Sequence, residues 1–284
     1  MVFSIFTEFN RLIIGGNMAI LAITKSYGSG GNEIGRSIAR LLGYEYVSLR
    51  KILEETKRTG GAWERCSSEN GDDATYPDIW WSFTGFMAQA QRVILNYAEQ
   101  DNKVIMARGA SALLKDIPHA LKVRITAPVE YRIQEVMKKE DVPLETARLI
   151  VKEADRAIHG TMSRIYGEDW NDPDTFELKF DTSEMPVGDV VDVIKNALID
   201  KEKLNTEEAK RLLHLHAVAA RVKAGIATHP KFLMPTLEVE VEKNTVVLRG
   251  LVHSIEEQDE IEKEAARLAS NVPITFDFHH RKSW

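Results

Sequence analysis

The first two thirds of the chain alternate short apolar runs with segments in which apolar residues recur at the period of a helix. The first run, residues 19–24, is continuous, which is typical of a strand buried on both faces of a sheet. Similar runs occupy four later ranges: 44–48, 103–107, 121–127 and 176–182. Between the runs, residues such as Leu144, Ala147 and Val151 advance by three and four positions along one helix face. This alternation predicts an α/β domain with a mostly parallel sheet over residues 19–200.

A different pattern begins after residue 208. Apolar residues at helical spacing over 212–226 predict a helix. Three strands are then predicted, at 237–242, 245–251 and 274–278. Before the last strand, Ser254 and Glu257 form a capping box that would open a second helix. The order helix, strand, strand, helix, strand predicts a small α+β domain over residues 209–284.

Two segments lie outside both patterns. Residues 201–208 are polar and are predicted to form a linker between the domains. Residues 1–18 are predicted to form an N-terminal extension rather than a signal peptide, because Glu8 and Arg11 interrupt the apolar pieces. Met18 lies just before the first strand and is an alternative start. The other alternative is that residues 1–17 form an early helix that packs on the first domain.

Composition narrows the classes of partner. The chain has 37 Lys and Arg against 43 Asp and Glu, a formal charge of −6, which argues against a broad electrostatic hold on nucleic acid or anionic lipid. Cys66 is the only cysteine, which excludes an internal disulfide and a thiolate metal cage and fits a reducing compartment. No apolar stretch approaches the roughly 20 residues that span a bilayer. We therefore expect a cytoplasmic protein with no nucleic-acid partner and no membrane contact.

A glycine-rich loop joins the first predicted strand to the first predicted helix. It reads Thr-Lys-Ser-Tyr-Gly-Ser-Gly-Gly-Asn-Glu-Ile-Gly-Arg over residues 24–36, and such a loop aims backbone N–H groups and a helix N-terminus at phosphate. The dinucleotide pattern G-x-G-x-x-G fails because Glu33 stands where the third glycine is needed. The pattern G-x-x-x-x-G-K-[ST] also fails, since no Lys-Ser or Lys-Thr pair follows the glycines. The loop predicts phosphate binding, and the alternative is a tight turn that binds nothing.

Four segments, in chain order, resemble the cytidylate kinase-like family, a branch of the P-loop nucleoside monophosphate kinases. The first is the glycine loop at 23–36. The second reads Val-Ile-Met-Ala-Arg-Gly-Ala at 104–110, and the third Ala-Pro-Val-Glu-Tyr-Arg-Ile-Gln-Glu-Val-Met at 127–137. The fourth pairs Asp-Trp-Asn-Asp-Pro at 169–173 with Asp-Thr-Ser at 181–183. The resemblance covers about residues 19–200.

The resemblance implies a five-stranded parallel P-loop sheet with flanking helices, and phosphoryl transfer from ATP, with Mg²⁺, to a nucleoside monophosphate such as CMP. It implies that the loop cradles the donor phosphates through six residues: Gly28, Ser29, Gly30, Gly31, Asn32 and Glu33. Arg108 would grip the acceptor phosphate. Three arginines on or beside a mobile lid would neutralise the transferred group: Arg132, Arg156 and Arg164. Asp155 would orient Arg156, and Glu33 could hold Mg²⁺.

Departures from the usual phosphate loop keep two other functions open. The usual lysine aligns with Gly31, and Lys25 is either a substitute charge or a solvated side chain. The alternatives to a kinase are a nucleotide-binding sensor without catalysis and a non-enzymatic interaction protein. An aromatic cluster at the acceptor-binding insertion either stacks on a base or plugs a core; its members are Tyr76, Trp80, Trp81, Phe83 and Phe86.

The C-terminal pattern resembles a BON domain, a small non-catalytic module of bacterial proteins. The match runs from the helix around Val222 through the paired strands and Gly250 to the helix that ends near Leu268. The resemblance implies an accessory module that binds a small ligand or a protein partner and, in the sensor alternative, provides the output. Metal binding is not expected there, because His214 and His216 are two residues apart and point to different helix faces.

Overall fold

The computed structural model describes residues 19–59, 76–161, 165–166, 175–232 and 234–280. These residues fall into two compact units. The first contains the described residues before Val47 together with Asp101–Ala209, and the second contains Val47–Gln100 and the residues after Ala209. The segment between Val47 and Gln100 therefore packs with the C-terminal residues, although it lies within the range that the sequence resemblance covers.

A five-stranded parallel sheet is the first element of the fold, as predicted. Its strands are β1 (Ile20–Lys25), β2 (Glu45–Ser48), β3 (Lys103–Met106), β4 (Ala120–Thr126) and β5 (Leu178–Asp181). Their order across the sheet is β2-β3-β1-β4-β5. The chain changes to the other side of β1 between β3 and β4. In open sheets of this kind, ligands bind beyond the carboxyl ends of the strands at such a point.

Seven helices of the described residues connect or follow these strands. They are α1 (Gly31–Leu42), α2 (Leu49–Arg58), α3 (Tyr76–Ala98), α4 (Ala110–Leu113), α5 (Val129–Glu140), α6 (Leu144–Thr161) and α7 (Val187–Glu202). α1 and α7 bury their apolar stripes on the sheet, with Ile34 and Ile38 from α1 and Ile194 from α7 fully buried. The predicted spacing of apolar residues thus places the first core between these two helices and the sheet.

A second, three-stranded sheet follows in the C-terminal region. Its elements are α8 (Glu207–Ala227), β6 (Glu238–Glu242), β7 (Thr245–Val252), α9 (Ile255–Ala269) and β8 (Ile274–His280). β7 pairs antiparallel with β6 and parallel with β8. The predicted element order is confirmed. Ser254 caps α9 by accepting from the N–H of Glu257 (3.1 Å), and the Glu257 carboxylate reaches back to the N–H of His253 (2.7 Å).

Within the second unit, side chains of α3 and α8 contact each other in antiparallel order, and we call this line of contacts the α3–α8 seam. Small residues line it: a Cβ on Gly85 would lie 3.1 Å from Thr228 Cγ2, and Ala88 is buried with Ala224. At the far end of the pair, Glu99 Oε1 lies 2.7 Å from His214 Nδ1. Side chains of this size let two helix backbones approach closely.

The boundary region between α7 and α8 is short. α7 ends at Glu202 and α8 begins at Glu207, so the predicted linker 201–208 contains both helix ends and the turn between them. Thr206 precedes α8 and accepts from the N–H of Ala209 (3.2 Å). Among the described residues, no helix combines the length and apolar character needed to cross a membrane.

Candidate functional site

The glycine loop occupies the five residues between the end of β1 and the start of α1. Gly28 (φ 81°) and Gly30 (φ 73°) adopt the left-handed conformation that glycine tolerates best. A side chain at Gly28 is also excluded sterically, because a Cβ there would lie 2.8 Å from the carbonyl oxygen of Arg132. Gly30 has open space around it instead. The loop therefore needs glycine at both positions for its backbone path, and Gly30 leaves room for a ligand.

Three carbonyl groups of the loop are held in place by hydrogen bonds. The Ser26 carbonyl accepts from the N–H and the hydroxyl of Ser29 (3.3 and 2.8 Å). The Tyr27 carbonyl accepts from Arg132 Nη1 (3.2 Å), and the Ser29 carbonyl accepts from Thr182 Oγ1 (3.0 Å). In a planar trans peptide the N–H points opposite to the C=O. The N–H groups that follow these carbonyls therefore point away from Ser29, Arg132 and Thr182.

Several backbone N–H groups of the loop are free to bind a ligand. Those of Gly28, Gly30, Gly31 and Asn32 have no hydrogen-bond partner in the part of the chain that the structure describes. The first bonded N–H group of α1 is that of Glu33, which donates to the Gly30 carbonyl (2.9 Å). Unpaired N–H groups at a helix N-terminus, together with the positive end of the helix dipole, favour an anion.

Two basic side chains lie at the carboxyl ends of neighbouring strands. Lys25 ends β1, and Arg108 follows β3 by two residues. Burial lowers the pKa of Lys25, and the positive charges of Lys139 and Arg108 lower it further; burial also lowers the pKa of Arg108. Neither Lys25 nor Arg108 has a carboxylate partner among the described residues. The site therefore holds positive charge that no described acidic side chain neutralises.

Arg132 is almost completely buried, at 4% exposed, and its guanidinium group joins three parts of the first unit. Nε donates to the Ala127 carbonyl (3.0 Å), and the two Nη atoms bind both carboxylate oxygens of Asp155 (2.9 and 2.8 Å). With its bond to Tyr27, Arg132 connects the glycine loop to α5 and α6. That it also neutralises the transferred group remains a prediction.

The other predicted arginines differ in their surroundings. Asp155, predicted to orient Arg156, binds Arg132 instead. Arg156 is exposed on α6 and has no partner within the described part of the chain. Arg164 lies outside the described residues, as do the side chains of Tyr76, Trp80 and Trp81 and the whole of Cys66.

The remaining loop residues contribute in different ways. Ser29 is buried, and its hydroxyl lies 2.8 Å from the Ser26 carbonyl and 3.2 Å from that of Ile125, so its side chain faces the protein interior. Asn32 Oδ1 accepts from the Tyr46 hydroxyl (3.3 Å). Glu33 is exposed. No group of three or more His, Cys, Asp or Glu suitable for a metal was found among the described residues, so Mg²⁺ at Glu33 would need phosphate oxygens and water as its other ligands.

Sequence reasoning assigned no role to Thr182. Asp181 ends β5, and its Oδ1 accepts from the N–H (2.8 Å) and the hydroxyl (2.6 Å) of Ser183, which forms a tight turn. That turn presents Thr182 to the Ser29 carbonyl. The order Asp-Thr-Ser in the sequence is typical of such a turn but does not indicate the contact with Ser29.

Tyr27 and Tyr166 were also missed. The Tyr27 hydroxyl donates to Glu140 Oε1 (2.5 Å), and this hydrogen bond is the main reason why the pKa of Tyr27 rises to about 12. The phenol therefore remains a donor that ties the loop to the end of α5. The Tyr166 ring packs against Gly109, next to Arg108, where a Cβ would overlap it. Gly109 has φ 80°, so both its conformation and its neighbour require glycine.

The segment of the chain that forms this site matches a known protein family. The model of the cytidylate kinase-like family matches residues 20–184, more than half of the chain. This chain belongs to the cytidylate kinase-like family. The match contains the glycine loop, Arg108, Arg132 and Thr182, and it ends before α7 begins at Val187.

Curated relatives point the same way. The chain is similar to the cytidylate kinase of Thermococcus sibiricus, at 24% identity over 179 residues, covering 63% of this chain and 87% of the relative. It is similar to the cytidylate kinase of Aeropyrum pernix at 28% identity over 167 residues, covering 59% and 91%. These relatives are archaeal and do not support the bacterial origin that the BON resemblance implied. The matched part of the chain corresponds to nearly the whole of each relative.

A solved structure shares the fold. A protein of Eubacterium ventriosum described as uncharacterized is similar with a TM-score of 0.52 at 20% identity, covering 64% of this chain and 98% of that chain. At this identity the likeness concerns the fold alone. The family match stops at residue 184, so the BON resemblance of residues 209–284 stays a prediction.

Proposed function

We propose that this protein transfers the γ-phosphoryl group of ATP to a nucleoside monophosphate, with CMP as the first acceptor to test. The observation that carries the proposal is the set of unpaired N–H groups at the carboxyl end of β1, those of Gly28, Gly30, Gly31 and Asn32. The carbonyl groups of Tyr27 and Ser29 are bound by Arg132 and Thr182, so the N–H groups that follow them point away from those two side chains. In a member of the cytidylate kinase-like family, such an arrangement is suited to the phosphates of the donor.

The reaction breaks the bond between the γ-phosphorus and the oxygen that bridges it to the β-phosphate. A new bond forms between the γ-phosphorus and a phosphate oxygen of the acceptor, and ADP leaves. The protein contributes mainly by positioning the reactants and by neutralising charge. We assign the donor phosphates to the loop amides and the acceptor phosphate to Arg108, whose half-buried guanidinium can bind two phosphate oxygens at once.

The arginines of α5 and α6 have separate tasks in this proposal. Arg132 supplies a buried positive charge and positions the loop, and Asp155 positions Arg132. Arg156 and Arg164 remain the candidates for neutralising the transferred group. Arg156 is suited to that task because its exposed side chain has no described partner to give up.

Magnesium fits the chemistry of the site with one protein ligand. The exposed Glu33 carboxylate lies in the first turn of α1, next to the free N–H groups. Mg²⁺ commonly keeps several waters and binds one or two carboxylates together with substrate phosphates. When bound, it would neutralise phosphate charge, and Glu33 would hold it at the edge of the loop.

A second candidate function is a nucleotide-binding sensor without catalysis. It is favoured by Gly31 and Asn32, which stand where the usual phosphate loop has its lysine and its hydroxyl residue. In either case we propose an accessory role for residues 209–284, in binding a small ligand or a protein partner.

Product analysis tests these functions directly. The full chain is incubated with ATP, Mg²⁺ and a panel of nucleoside monophosphates, and nucleoside diphosphates are separated and counted. Formation of ADP and CDP supports the kinase. Binding of ATP and CMP, seen as thermal stabilisation, without product supports the sensor, and no binding rejects both.

The acceptor assignment has its own test. Arg108→Ala should lower CMP phosphorylation about 100-fold or more, because a charge-assisted contact to the acceptor phosphate is lost. Its affinity for ATP should change much less. Undiminished product formation by this variant would remove Arg108 from the acceptor site.

A further inference from the structure

The position of the usual phosphate-loop lysine is occupied by a glycine, and the space beside it is filled by another lysine. A Cβ on Gly31 would lie 2.8 Å from Lys25 Cβ and 3.0 Å from Lys25 Cδ. The aliphatic part of Lys25 therefore lies against the backbone of the first residue of α1. Only glycine at position 31 leaves this path open without a shift of Lys25.

The ammonium group of Lys25 is surrounded by positive charge and one aromatic ring. Lys25 Nζ lies 5.6 Å from the centre of the Tyr27 ring. The neighbouring charges that act on it are those of Lys139 and Arg108, and no described carboxylate pairs with it. A partly buried lysine beside two other cations is costly unless an anion joins them.

The sheet topology explains why these cations meet at the loop. β1 and β3 are parallel neighbours, with Ala22 opposite Ile105, so Lys25 and Arg108 leave the sheet at the same edge. This is the edge where the N–H groups of Gly30 and Gly31 are free.

We propose that Lys25 is the phosphate-binding lysine of this protein, supplied by the end of β1 instead of by the glycine loop. Its ammonium group binds the oxygens of the donor phosphates that the free N–H groups hold. This inference rests on the proposed function and deepens it, because it removes the main structural argument for a chain without catalysis. It also gives Gly31 a role, which is to make room for the Lys25 side chain.

Nucleotide binding by three variants of the full chain tests the role of Lys25. Lys25→Met keeps the length of the aliphatic chain and removes the charge, and Lys25→Arg keeps the charge. Lys138→Met is the matched control, since Lys138 is an exposed lysine on α5 paired with Glu135 (2.9 Å). Affinity for ATP and ADP is measured by titration calorimetry with and without Mg²⁺, and the nucleotide-free melting temperature is recorded for each variant.

Lys25→Met should weaken ATP binding about 10- to 100-fold, the range expected for one hydrogen bond to a charged group. Lys25→Arg should recover most of that loss, and Lys138→Met should bind as the unchanged chain does. With CMP as acceptor, Lys25→Met should also lower kcat, because the charge on the donor phosphates grows as ADP leaves.

The outcomes separate this inference from the proposed function. If the unchanged chain binds ATP and Lys25→Met binds it equally well, Lys25 is not the phosphate-binding lysine, although the proposed function stands. If the unchanged chain binds no nucleotide, both fail. Should Lys25→Met not fold, Lys25→Gln provides a second neutral variant of similar length, and ATP affinity equal to that of the unchanged chain would again overturn the inference.

Discussion

The glycine loop of the first unit and the α3–α8 seam of the second unit are both glycine-containing, yet they are stabilised in opposite ways. In the loop, Arg132 and Thr182 bind carbonyl oxygens of residues 105 and 153 positions away in the chain. In the seam, Gly85 and Ala224 are small because the facing helix lies close. The loop keeps N–H groups available, whereas the seam fills its space with side chains. Glycine therefore indicates a binding site only when the polar groups around it are left unpaired.

The largest expected effect is on the loop. Arg132→Met leaves the Asp155 carboxylate and the Tyr27 and Ala127 carbonyls without their donor. The free energy of unfolding should fall by about 3 kcal/mol, the low end for breaking a buried ion pair, since the Asp155 side chain is 41% exposed. Urea denaturation measures it. Arg156→Met, at an exposed arginine on α6, should change stability by no more than about 0.5 kcal/mol. Equal losses in the two variants would contradict the structural role of Arg132.

The seam should respond to volume. Ala224 is fully buried, so Ala224→Leu would force α3 and α8 apart and should lower the free energy of unfolding by about 2 kcal/mol. ATP affinity should stay within about twofold, because the substitution is remote from the glycine loop in the chain and lies in the other unit. Arg211→Leu, at an exposed position of α8, is the control for the added leucine. A large loss of ATP affinity with unchanged stability would show that the two regions do not differ in this way.

Thr182→Val separates the orienting effect of a side chain from its packing. Loss of the hydroxyl leaves the Ser29 carbonyl without this donor, which should cost about 1 kcal/mol of stability. ATP affinity should fall about fivefold, because the N–H of Gly30 is then less firmly oriented. Thr182→Ser keeps the hydroxyl and should restore affinity. If valine and serine behave alike in calorimetric titrations, the hydroxyl does not orient the loop.

The smallest effect on stability is expected at the far end of the α3–α8 seam, where Glu99 contacts His214. Glu99→Gln removes the carboxylate that lies 2.7 Å from His214 Nδ1. Since the His214 side chain is 53% exposed, the free energy of unfolding should change by at most about 0.5 kcal/mol. Thermal and urea unfolding near neutral pH measure it. A loss comparable to that of Ala224→Leu would mean that charge, rather than close packing, holds α3 and α8 together.

Periodicity was sufficient to predict much of the fold. The apolar run at 19–24 became the buried β1, and the alternation at 237–242 became β6 with one exposed face. Both patterns are local, because the burial of each face of a strand can be read from the polarity of consecutive side chains. The association of Val47–Gln100 with the C-terminal residues could not be predicted from periodicity. Small residues on a helix show that something packs against it, but they do not show which distant helix does so.

Only the part of the candidate site that lies next to strand ends could be predicted from the sequence. The glycines and Arg108 stand next to strand ends, so their place in the fold follows from sequence order. Thr182 acts on a carbonyl that is 153 residues away, and Asp155 binds Arg132 rather than its neighbour Arg156. Such contacts depend on which strands become neighbours, which short patterns do not encode.

Because Lys25 lies against Gly31, the phosphate-binding lysine can stand at position 25 or at position 31, but not at both. A chain with any larger residue at position 31 has to move the position-25 side chain aside, so the two positions should vary together among related proteins rather than independently. A lysine at position 31 would fit only if the residue at position 25 were replaced by a smaller one at the same time. Moving the phosphate-binding lysine from position 25 to position 31 therefore requires substitutions at both positions. A lysine added at position 31 alone would crowd Lys25, and a small residue introduced at position 25 alone would leave the site without a lysine.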